Sequence, residues 1–280
     1  MNARQARRVF MSLTAVLVLT PLSLLAQSGP PSDPEAERIV DAFVTATGHS
    51  PELYHERRAA VRAAPERFVP ILRERLSQIP ATLDEYDPDD RACILNGHLN
   101  PRSGSQAATL LGIVGLLPLV DAEPILQEFF DKVNPLAVEA ERRYWRERDI
   151  ANAAGRKTGR ELVDTKEVYL ALSGARGQAI KVAKNLDSDI FHDDFLAMLA
   201  SDDPVAQETG ANYTRGNLEA IVERNPEALA QIVDATSRLG ASDDPRVAKA
   251  GRTLMEAVRQ TLQSPPRDNT PADPARQREP

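Results

Sequence analysis

The feature that most constrains how this 280-residue chain can fold is an internal repeat. Ala200-Ser201-Asp202-Asp203-Pro204 returns as Ala241-Ser242-Asp243-Asp244-Pro245, a shift of 41 residues. Beyond the pentapeptide, Ala206, Gly210, Tyr213 and Ile221 fall on Val247, Gly251, Leu254 and Leu262, and upstream Phe191 and Met198 fall on Ile232 and Leu239. The downstream offsets keep to one helical face. Each unit is therefore expected to be a helix, an Asp-Asp-Pro turn and a second helix, and neither helix can bury its apolar stripe without the neighbouring unit. A glycine inside a helix costs about 1 kcal/mol relative to alanine. Its recurrence as Gly210 and Gly251 implies that helices approach closely there.

Other helix signals follow along the chain. Asp33-Pro34-Glu35 places a cap, a first-turn proline and an acid ahead of Ile39, Val40, Phe43 and Val44, and Ser50-Pro51-Glu52 and Asn225-Pro226-Glu227 repeat the device. About ten to twelve helices of about 10 to 20 residues are expected, with short connections and no sustained strand alternation. Aromatic residues are 5% of the chain, so the core must be built from small aliphatic side chains. The fold class is all-α.

The period and turn resemble HEAT repeats. Ala108-Thr109-Leu110-Leu111-Gly112-Ile113-Val114-Gly115, with Pro124-Ile125-Leu126 and Phe130 behind it, is similar to the HEAT-like repeats named after phycobiliprotein lyases. It departs from that pattern in a longer stretch between Gly115 and Pro124 and in lacking Asp-Pro after the glycine. The resemblance implies an α-solenoid of stacked antiparallel helix pairs over residues 35–263. It also implies a concave side lined by the second helix of each pair.

The N-terminus reads as an export signal. Residues 1–8 are basic without an acid, and 9–26 are apolar and end in small residues. This is the layout of a secretory signal peptide (1–26) cut after Ala26, followed by a linker over 27–34. Arg7-Arg8-Val9-Phe10-Met11 also resembles a twin-arginine signal. The alternative is an uncleaved membrane anchor, which Pro21 interrupts. Residues 264–280 hold five prolines and no large apolar side chain, which makes them a disordered tail. The net charge is −7, and loss of Arg4, Arg7 and Arg8 with the signal leaves 31 basic against 41 acidic residues, or −10. So acidic a chain repels phosphate backbones, so no nucleic-acid partner is expected.

Motifs for chemistry are scarce. The lone Cys93 excludes a disulfide scaffold, and its spacing to His98 does not put the two on one helical face. His49, His55, His98 and His192 form no metal motif. The stretch Asp187 to Asp194 is the densest set of oxygen ligands, but it lacks the glycine and terminal glutamate of an EF-hand. In Glu139 to Asp149, four acids cancel four arginines around Trp145, which reads as a solvated helix anchored by its tryptophan, with Glu139 and Arg143 paired. No nucleophile elbow, phosphate loop or dinucleotide fingerprint is present. No catalytic, cofactor-binding or metal residue is assigned, and no cofactor is expected.

The repeat itself selects a working surface. Positions that differ in chemistry across the shift are Glu208 against Lys249, Ala211 against Arg252, and Arg215 against Glu256. Core positions must match for units to stack, whereas surface positions are free. Glu208, Arg215, Lys249, Arg252 and Glu256 are thus expected to face solvent as a protein-binding surface. The expected function is a non-enzymatic, exported scaffold for protein–protein interaction in the bacterial cell envelope. The alternatives are an envelope enzyme or enzyme regulatory subunit, and a membrane-anchored structural protein if the signal is retained.

Overall fold

The structure is a computed structural model that describes residues 33–45, 50–84, 103–156 and 159–263. The expected signal, almost all of the linker, His49, Cys93, His98 and the tail lie outside the described residues. Those described form α1 (Pro34–Val44), α2 (Pro51–Ala63), α3 (Pro65–Asp84), α4 (Ser103–Val114), α5 (Leu119–Ala153), α6 (Arg160–Asn185), α7 (His192–Ala200), α8 (Pro204–Arg224), α9 (Ala228–Gly240) and α10 (Pro245–Gln263), with no strand among them.

Helix starts follow the cap-proline signals in two of three places. The Asp33 carboxylate accepts from the Ala36 N–H at 3.0 Å, and Ser50 Oγ accepts from the Leu53 N–H at 3.3 Å. Arg67 of α3 grips the same Asp33 at 2.6 and 2.9 Å and Glu35 at 2.8 Å, fastening the start of α1 to α3. Asn225 behaves differently. It ends α8, and α9 begins only at Ala228, without a side-chain cap.

Two helices exceed the expected length, α5 with 35 residues and α6 with 26. Pro124 and Pro135 lie inside α5 without ending it. A helix-interior proline removes one hydrogen bond and costs about 3 kcal/mol, but Ile125, Leu126, Phe129, Phe130, Val133 and Ala137 are buried around them. Packing along that face outweighs the local preference. Both long helices end in the same way. Gly155, at φ 65°, and Asp187, at φ 58°, turn the chain into the left-handed region. The Arg156 N–H then reaches the Ala151 carbonyl at 2.8 Å, and the Ser188 N–H reaches that of Ala183 at 2.9 Å, closing a Schellman motif at each end.

Two cores meet at α7. The first gathers Phe68, Leu72, Leu110, Leu111, Phe129 and Phe130 with Phe191 and Phe195, and the second joins Leu196 and Leu199 to Leu218, Ile232, Leu239, Val247 and Leu254. Phe130 stacks on Phe191 with centroids 4.3 Å apart, and Tyr213 packs against both cores.

The 41-residue repeat corresponds to two helix pairs, α7 with α8 and α9 with α10, and α8 packs against α10. Their turns match bond for bond. Ser201 Oγ accepts from the Asp203 N–H at 3.1 Å, and Ser242 Oγ from the Asp244 N–H at 3.2 Å. Asp203 then accepts from the Val205 N–H at 3.2 Å, and Asp244 from the Arg246 N–H at 2.8 Å. Two expectations at the matched positions need correction. Leu262 is 63% exposed where its counterpart Ile221 is 1%, and Ala211 is 1% exposed rather than at the surface. The reason is position in the row: α8 packs against α5, α7, α9 and α10, while α10 packs against α8 and α9.

Candidate functional site

One acid of the charged run on α5, Glu141, turns inward, while Arg143, Arg146 and Asp149 stay exposed. Glu141 and Arg176 are both buried, with Arg176 Nη2 3.8 Å from Glu141 Oε2. The Trp145 indole N–H donates to Glu141 Oε1 at 3.4 Å, Thr209 Oγ1 donates to Glu141 Oε2 at 3.5 Å, and Arg176 Nη1 donates to Asn134 at 3.3 Å. Burial pushes the Glu141 carboxyl above its usual range and the Arg176 guanidinium below its own, each partly offset by the other's charge. The Arg148 guanidinium lies 3.6 Å from the Trp145 ring centroid, and that of Arg246 lies 5.0 Å from it. Asp244 holds Arg246 at 2.9 Å, and Arg142 bonds Asp203 at 2.7 Å and also pairs with Glu139, so that the expected Glu139–Arg143 pair gives way to one three residues apart. Asp203 and Asp244 are equivalent in the repeat. α5 therefore reaches both units at the same place, the start of the second helix.

The five residues selected by the repeat do not share one environment. Arg215, Lys249, Arg252 and Glu256 are exposed. Glu208 is half-buried, and its carboxyl is raised by burial and then by the nearby Glu141 charge, which places it with the α5 network. Its expected solvent position is corrected for a physical reason: the N-terminal part of α8 is where α5 crosses.

Arg215 opens onto a cavity of about 590 Å³ bounded by α6, α8, α10 and the turn between α6 and α7. Lys184, His192, Tyr213, Asn217 and Gln260 also line it. Tyr213 stacks on Phe195 at 3.7 Å and meets the His192 edge at 6.1 Å. Burial raises the Tyr213 phenol and lowers His192, so both are neutral near neutral pH. Gln260 donates to Glu256 at 3.1 Å, which joins the cavity to the exposed face of α10.

The acidic stretch from Asp187 to Asp194 is divided among other partners. Arg224 takes Asp187 at 2.8 Å and Asp189 at 3.2 Å, and Gln127 donates to Asp194 at 3.3 Å. No group of three metal-ligating side chains occurs among the described residues. The cavity was not legible in the sequence. Tyr213 read as core and His192 as part of an acidic cluster, and nothing local to Lys184 shows that α6 ends beside α8.

No family model, curated protein or solved structure matches this chain. Among the described residues, no helix is long and apolar enough to cross a membrane.

Proposed function

We propose that the protein is an exported, non-enzymatic HEAT-like α-solenoid that holds another protein of the bacterial cell envelope on the surface of α6, α8 and α10. The observation that supports this reading most is the open cavity of about 590 Å³ that residues of these three helices line. Arg215 lines it, and Lys249, Arg252 and Glu256 are exposed on the equivalent second helix, α10. Such repeats stack into extended surfaces suited to binding a partner. Export is supported by the basic residues of 1–8 followed by the apolar run of 9–26.

The test is affinity capture from envelope extract with the wild-type chain and with a variant carrying alanine at Arg215, Lys249, Arg252 and Glu256. Each single truncation at these exposed sites should change stability by under about 0.5 kcal/mol. A partner held by the wild type and lost by the folded variant supports the reading. Equal capture by both moves the binding surface elsewhere.

A further inference from the structure

The charges around the cavity specify what can enter it, and the inference that follows rests on the scaffold reading above. α10 carries Lys249 and Arg252 beside Arg246, which Asp244 holds, and Arg259, which pairs with Glu256, the single acid of the helix, in a chain of net charge −7. The second half of α6 holds Lys181 and Lys184 and no acid, its third cation, Arg176, being buried against Glu141. Acids near the cavity are already engaged: Asp187 and Asp189 pair with Arg224, and Glu219 has an interaction of its own. Among the described residues, Lys184, Arg215, Lys249 and Arg252 have no ion pair or side-chain hydrogen bond.

Helix electrostatics explain only one of these four cations. A basic residue in the last turn offsets the exposed carbonyls, and Lys184 sits there in α6. Arg215 is the twelfth of 21 residues in α8, and Lys249 and Arg252 are the fifth and eighth of 19 in α10, where no carbonyl end calls for them. Lys249, Arg252, Glu256 and Gln260 succeed one another at spacings of three and four residues, which keeps them on one face of α10. Gln260 lines the cavity, and the same exposed face of α10 carries Glu256, Arg252 and Lys249 away from it.

We infer that this groove binds an acidic, extended peptide segment of the partner protein, with carboxylates meeting Lys184 and Arg215 in the cavity and Lys249 and Arg252 along α10. A nucleic acid fits less well. Asp187 and Glu219 line the cavity and Glu256 interrupts the strip on α10, the whole chain is acidic, and the Tyr213 ring that could stack on a base is already stacked on Phe195. Peptide carboxylates, unlike phosphates, need not be continuous.

The test is fluorescence anisotropy on the full chain with a labelled peptide of about twelve residues alternating Glu and Ser, and with its Lys-for-Glu counterpart, at about 20 mM and about 300 mM salt. The Glu peptide should bind, more weakly at the higher salt, and the Lys peptide should not. K184E/R215E should weaken binding at least about tenfold and K184Q/R215Q about threefold, while R143E, exposed on α5, should leave it unchanged. The glutamine pair keeps the test open if charge reversal impairs folding. Equal binding of both peptides, unchanged affinity in the glutamine pair, or tighter binding of a single-stranded oligonucleotide would overturn the inference. So would binding that emerges only after deletion of residues 264–280, since the tail would then be the occupant. If the Glu peptide fails to bind while the four-alanine variant still loses its captured partner, the scaffold reading stands and the acidic-peptide chemistry falls.

Discussion

Gly210 lies directly on the backbone of Leu199: a Cβ placed on it would come within 2.5 Å of the Leu199 nitrogen and 2.8 Å of the Phe195 carbonyl oxygen. One unit later, a Cβ on Gly251 would come within 2.5 Å of the Gly240 nitrogen. Leu199 and Gly240 are themselves 41 residues apart, so the shortest contact of each glycine repeats from one unit to the next. Backbone against backbone cannot give way as a flexible side chain could.

Gly210→Ala and Gly251→Ala should accordingly each destabilise the protein by about 2 kcal/mol or more, because overpacking exceeds the gain of about 1 kcal/mol in helix propensity. Gly177→Ala, with nothing within 4 Å of its Cβ, should instead stabilise by about 0.5–1 kcal/mol. Chemical denaturation of the three variants decides the matter. Equal behaviour of G210A and G177A would mean that α7 and α8 are not in close contact.

The two turn aspartates should be unequal to their neighbours. Asp203→Ala removes the cap of α8, worth about 1 kcal/mol, and a half-exposed Arg142 pair worth less, for a combined loss of about 1–2 kcal/mol. Asp244→Ala should cost a similar amount and also free Arg246, which the emission of Trp145, the sole tryptophan, would report. Asp202→Ala and Asp243→Ala, at exposed positions, should stay within about 0.5 kcal/mol of wild type.

The buried and the paired carboxylates should give opposite pH dependences. Glu208 is raised above its ordinary 4.5 by burial and then by Glu141. A group raised on folding binds its proton more readily in the native state, so ionising it opposes folding. Relative to Glu208→Gln, wild-type stability should increase as pH falls from the displaced value to about 4.5 and then level off. Asp244 is held below its ordinary 3.8 by its Arg246 hydrogen bond, so its contribution is present above that value and disappears as pH falls through the lowered one. Denaturation midpoints of wild type, E208Q and D244N across acidic pH test both signs. A wild-type advantage over E208Q that grows toward neutral pH would contradict the first.

Export predicts a processed N-terminus. Sequencing of the periplasmic or secreted form should start at Gln27, within a few residues. An intact Met1 form confined to the membrane fraction would favour the anchored alternative.

Much of the local structure was legible because it depends on neighbours in sequence. Asp33, Ser50 and the two Asp-Asp-Pro turns cap helices with bonds that span three residues at most. Asn225 shows where that logic ends: the same kind of cap-proline signal closes α8 instead of opening α9, because the bonds of the preceding helix reached it first. Pro124 and Pro135 show the same limit in reverse, since a long buried face carries α5 through both. Within the candidate site, Arg215 was selected from the repeat, whereas Lys184, His192 and Tyr213 enter it from elements whose adjacency no local pattern encodes.

The sequence by itself determined that the chain is helical, where the paired helices turn, and that Gly210 and Gly251 must sit at close contacts, because each follows from short-range hydrogen bonding or from a pattern written twice. Only the tertiary structure decided which copy of a repeated position is covered. Ala211 is buried and Arg252 exposed, and Ile221 is buried and Leu262 exposed, because among the described residues α8 has helices packed on more of its sides than α10 has. Glu208 is half-buried for the related reason that α5, far from it in sequence, crosses the start of α8. Repeats of one sequence pattern share internal bonds, but burial belongs to the neighbours, and among the described residues α8 and α10 have different ones.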